Sequence, residues 1–202
     1  MWTQAAAMAV GTALTAASVA GAQPHAGESR PVLAVTVIDL ASVPKMVLGR
    51  AAEDATSIYD LAGVELVWNT TRSVECDAPA EGHWVRVVLY AGRKSRELGE
   101  RANVGRFTMG FAPCAGAAAA ASCTIAYIFY DRIEEFAGET RLPVGRLLGL
   151  AIAHEIGHLL LPARSHSAHG IMRAALDLGR SILPQFTAVE AGVVRARVNQ
   201  SK

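Results

Sequence analysis

His154, Glu155 and His158 have the residue types and the spacing of a metal site with a base beside it. In an α-helix, residues four apart lie one above the other on one face, with ~5–6 Å between Cβ atoms, so the two imidazoles can share one ion. Zinc suits such a pair. It takes neutral imidazole nitrogens at about 2.0–2.1 Å, and its catalytic sites use three protein ligands and leave a fourth place to water. Glu155 stands about 100° further round the helix, beside the ion rather than on it. From there its carboxylate can act as a general base toward that water. The stretch PVGRLLGLAIAHEIGHLLL is apolar on nearly every face, and burying two imidazoles and a carboxylate within it costs several kcal/mol unless something pairs with them. A dication supplies that partner.

The third ligand has to come from beyond the helix, because Pro162 redirects the chain. His166 is the first candidate, with ample reach for a chain that turns back, and Gly170 can adopt the backbone angles of a further tight turn. His169 and Glu190 are its rivals. Glu190 also fits a capping box with Thr187, a role that accounts for its carboxylate without a metal. His25 and His83 have no partners in the sequence and are expected on the surface.

The segment 154–172, HEIGHLLLPARSHSAHGIM, resembles the zinc-binding segment of metzincin peptidases, H-E-x-x-H-x-x-G-x-x-H followed by a methionine-bearing turn. The resemblance implies His154, His158 and His166 as zinc ligands, Glu155 as general base, and Met172 as the turn methionine packed beneath the metal. It also resembles a group of secreted bacterial proteins with a longer spacing to the third histidine. Two extra residues separate the second and third histidines here, and Pro162 stands close to where the family has its turn glycine. The likeness covers roughly residues 32–172. It implies an α+β, zincin-like fold: a twisted, mixed five-stranded sheet with a backing helix, the metal-binding helix and a C-terminal helix. In that fold the fourth strand lies at the sheet edge above the cleft, where it pairs with an extended substrate.

The elements that must position these residues can be read in order. VLAVTVIDL, 32–40, is a branched run of strand length, and the pattern from Pro44 to Gly63 predicts a helix with Leu48, Ala51, Ala55, Ile58 and Ala62 on one face. VELVW, 64–68, completes a parallel β-α-β unit. WVRVVLY (84–90), RFTMGFAP (106–113) and TIAYIFY (124–130) predict the third, fourth and fifth strands. The metal-binding helix runs from Pro143 to Pro162, and a last helix runs from the Thr187 capping box to about Val198.

The bulk composition narrows the partners. Nineteen basic residues against 18 acidic ones leave a net charge of +1, which excludes a field that would draw the chain to nucleic acid or an anionic membrane. The first 22 residues, Ala-rich, uncharged and ending Ala20-Gly21-Ala22, read as a signal peptide, and 23–31 as a flexible lead-in to one catalytic domain, 32–202. The expectation is a secreted or periplasmic monomer with no membrane span once the signal is removed. Export permits disulfides: Cys114 and Cys123 bracket an Ala-rich turn and are the expected pair, which leaves Cys76 over. Asn69-Thr70-Thr71 fits a glycosylation acceptor. The function expected is zinc-dependent hydrolysis of a peptide or protein substrate. Two alternatives differ in the ligands: a gluzincin-type peptidase in which Glu190 is the third ligand, or a non-catalytic module whose zinc is closed off by four protein ligands, His169 among them.

Overall fold

A computed structural model of the chain describes residues 30–73, 82–113, 124–162, 165–175 and 182–200. The expected signal peptide, most of the lead-in, and Cys76, Cys114 and Cys123 lie outside the described residues. The fold is α+β. Five helices and one five-stranded mixed sheet make up the described chain.

The sheet has the order β2-β1-β3-β5-β4, with β1 at Val32–Asp39, β2 at Glu65–Thr71, β3 at His83–Tyr90, β4 at Gly110–Phe111 and β5 at Ile125–Phe129. β1 pairs in parallel with both β2 and β3, β3 pairs in parallel with β5, and β4 alone runs antiparallel, on β5. Alternate residues of β1, Leu33, Val35 and Val37, are buried toward the helices, as a pleat with a period of two requires. The first crossover is the expected β-α-β unit. Its helix α1, Lys45–Leu61, starts after Pro44 and carries Ala51, Ala55, Ile58 and Tyr59 on its buried face.

Helix α4, Val144–Leu160, is the central element and is buried round most of its circumference. It packs on α1 through glycines. A Cβ at Gly149 would lie 2.7 Å from the carbonyl oxygen of Ala51, so only a bare backbone fits there. Tyr59 adds a specific tie, its hydroxyl donating to the Ala153 carbonyl at 3.2 Å. The helix stops where a proline forces it to: Leu161, just before Pro162, is extended (φ −95°, ψ 161°), because the pyrrolidine ring disfavours a helical predecessor.

Two expectations need correction. The fourth strand is not 106–113 but the two residues of β4. Ahead of it, Thr108 N–H donates to the Gly105 carbonyl at 3.0 Å in a turn, and Arg132 takes up the carbonyls of Gly105 and Thr108, so these groups do not enter a ladder. Two helices also stand between the third strand and α4 where none was expected: α2, Gly92–Arg101, and α3, Tyr130–Thr140. The described chain opens on two ties, one to α1 and one to β2. Arg30 pairs with Asp60 at 2.6 Å, and Pro31 accepts from Glu65 N–H at 3.0 Å. The C-terminal helix α5, Ala188–Asn199, begins with the expected capping box.

Candidate metal centre

His154 and His158 project from the last two turns of α4, and His166 reaches them from the loop beyond Pro162. The ring Nε2 atoms converge, 3.0 Å apart for His154 and His158 and 3.1 Å apart for His158 and His166. Among the described residues this is the one group of three or more His, Cys, Asp or Glu whose donor atoms gather, all within 4.8 Å of one another. Burial grades outward: His154 is buried, His158 partly so, and His166 is exposed at the mouth.

Both helical rings are oriented from behind. Nδ1 of His154 lies 2.7 Å from the Ile171 carbonyl oxygen. A carbonyl only accepts, so Nδ1 carries the proton and Nε2 of the neutral ring keeps its lone pair, as a metal ligand must. Nδ1 of His158 faces the Ser165 hydroxyl at 3.1 Å. Lone pairs pointed at one another at this range repel unless a proton or a cation lies between them. Ligand nitrogens of a tetrahedral zinc stand about 3.3 Å apart, near the spacing of His158 to each of the other two, and all three donor atoms lie within 4.8 Å of one another. His154, His158 and His166 can therefore hold a metal ion.

The loop that delivers His166 is built to return. Gly170 has φ +80°, and any side chain there would run into the Gln185 carbonyl, which also accepts from Ile171 N–H at 2.9 Å. Ser167 N–H donates to the Met172 carbonyl at 3.0 Å and closes the loop. Met172 is fully buried, its thioether seated directly on Gly157 in the turn that leads to His158. One loop thus brings in the third imidazole, fixes the proton of the first and packs sulfur against the helix that carries both.

Glu155 is buried, and its Oε2 has no hydrogen-bond partner. Burial pushes its carboxyl up to about 8, because the charged form is poorly solvated. Burial also lowers His154, and burial together with the other two imidazoles brings His158 down to about 4. All three shifts favour neutral groups. β4 passes against Glu155 at Gly110, where a Cβ would stand 2.9 Å from the glutamate Cγ. A cleft of about 780 Å³ opens in front of this set, lined by the three histidines, Glu155, the segment 107–112 and Phe136.

The other candidates lie elsewhere. His169 is exposed and outside the cluster, its carbonyl accepting from the Ser167 hydroxyl at 2.6 Å. Glu190 is engaged in the cap of α5, its carboxylate accepting from Thr187 N–H at 2.8 Å. His25 lies outside the described residues, and His83, expected on the surface, is half-buried on β3, with Arg197 near enough to oppose its charge. The sequence reading missed the Ile171 carbonyl, Ser165 and Gly110. None carries a signal in sequence, because each acts through backbone or through position rather than through a motif. Neither the family models nor the sequences of curated proteins give a match to this chain.

Proposed function

We propose that the chain is an exported zinc-dependent endopeptidase of zincin architecture, with His154, His158 and His166 as metal ligands and Glu155 as general base. One observation carries the reading: three imidazole nitrogens, two of them on rings oriented from behind, converge beside a buried, unpartnered carboxylate at the floor of an open cleft. Zinc held there supplies Lewis acidity, which polarises a carbonyl and makes water acidic enough to be deprotonated near neutral pH. The chain's own residues do the rest. Glu155 in its ionised form, made a stronger base by burial, takes a proton from the attacking water and returns it to the leaving amine. The edge of β4 offers its backbone to an extended peptide. The Ile171 carbonyl and Ser165 keep two imidazoles facing the ion, as outer partners of metal ligands do.

The two alternatives lose support from the same geometry. Glu190 already caps a helix, and among the described residues no fourth donor joins the three histidines to close the site. The deciding experiment combines metal analysis with turnover. Purified protein supplied with zinc should bind about one ion and cleave a mixed peptide set, and a chelator should stop cleavage reversibly. Glu155→Gln should keep the ion and lose ~10²–10⁴-fold in kcat. Undiminished cleavage by that variant would exclude this mechanism.

A further inference from the structure

The turn ahead of β4 is pinned although its most prominent side chain stands in solvent. Phe107 is 75% exposed at the cleft mouth. On either side of it, Nη1 of Arg132 donates to the carbonyls of Gly105 and Thr108, each at 2.9 Å, and Phe129 N–H donates to the Met109 carbonyl at 2.8 Å. The guanidinium is itself oriented from two sides. It lies over the Phe129 ring, 4.2 Å from the centroid, and its Nη2 rests on Gly99 of α2, where a methyl group would displace it. One planar cation therefore joins α2, α3, the turn and β5. A lysine ammonium has neither the planar stacking face nor the fixed fork to do this.

Phe107 and Phe136 line the cleft that holds Glu155 and the histidines, and the same two rings line a shallow hollow outside it, together with Arg106, Glu135 and Glu139. They form a partition with charge on its outer side. An exposed aromatic ring on a fixed backbone gains by being covered, and a backbone held in advance spares the cost of ordering it at that moment. On the peptidase reading above, we propose that Arg132 is a positioning residue: it fixes the turn 105–108 so that Phe107 and Phe136 together grip a bulky apolar side chain of the peptide substrate.

The test uses the full zinc-loaded chain as wild type, Arg132→Met, Arg132→Lys and Phe107→Ala. Amide exchange is followed at Thr108 and Phe129, with Val87 in the sheet interior as reference, and kinetics are measured on matched peptides with Phe or Ala at each position flanking the cleaved bond. Arg132→Met should speed exchange at Thr108 but not at Val87, keep its zinc, and raise KM for the Phe peptide about tenfold with kcat changed far less. Arg132→Lys should recover only part of this. Phe107→Ala should leave exchange at Phe129 unchanged and reduce the Phe-over-Ala preference about tenfold. Unchanged exchange at Thr108 in Arg132→Met overturns the positioning role, and an unchanged Phe-over-Ala ratio in Phe107→Ala overturns the grip. If zinc-loaded wild type cleaves neither peptide, the peptidase reading fails and takes the grip with it, while the exchange result still decides the role of Arg132.

Discussion

At the scale of single residues, ligation and acid-base behaviour make separate demands on neighbours in one helical turn. His166→Ala removes one of the three converging nitrogens and should weaken zinc binding ~10²-fold or more, whereas the exposed His169, replaced by Ala, should leave affinity unchanged. Competition titration with a chromophoric chelator reads both. The metal-free protein should also show a pH signature. Between its ordinary 4.5 and about 8, the Glu155 carboxyl keeps a proton in the folded chain that the unfolded chain has released. Folded stability from this group therefore falls as pH rises through that window. His158 acts in the opposite sense: from its ordinary 6.5 down to about 4 the unfolded chain holds the extra proton, so stability falls as pH drops. The two oppose each other below pH 6.5, and above it the glutamate acts alone. Thermal unfolding in chelator should show wild type losing stability from pH 6.5 to 8 relative to Glu155→Gln; parallel curves would show that the carboxyl is not held protonated.

At the scale of elements, the glycines of the helices separate packing from propensity. Gly149 of α4 abuts the backbone of α1, so Gly149→Ala should destabilise by about 1–3 kcal/mol despite the better helix former. Gly138 of α3 has nothing within 4 Å of where a Cβ would be, so Gly138→Ala should stabilise by about 0.5–1 kcal/mol. Urea denaturation of the two variants gives opposite signs if α4 is as tightly set as it looks. The same contrast explains which elements could be read in the sequence. α1 and α4 have apolar residues at helical spacing and prolines at their starts. α2 hides because its buried positions are Ser95 and Gly99, small residues that let it approach α3 without an apolar stripe. α3 did carry a signal, with Ile133 and Ala137 at a four-residue interval, but it follows β5 with no turn residue between them, and nothing marks the boundary. The fourth strand reads as extended from composition alone, and only a side chain 24 to 27 residues away, Arg132, turns its first half aside.

At the scale of the whole molecule, the pairing of His154 with His158 was legible because a four-residue interval on a helix fixes geometry locally, while what surrounds them depends on distant chain. The parallel pairing of β1 with β2 followed from a helix of the right length between them. The sheet's order beyond β1, and the arrival of Gly110 against Glu155, are products of tertiary packing that no local pattern encodes. That order also has a practical outcome. Asn69 is exposed on β2, the border strand opposite β4, and four inter-strand spacings of about 4.8 Å put it roughly 19 Å from the cleft side. On the proposed peptidase reading, a sugar chain added at Asn69 by a eukaryotic expression host, or a biotin attached through Asn69→Cys for surface capture, should leave peptide turnover intact. The far border is thus a natural handle by which the molecule can be held still while its other side is put to work.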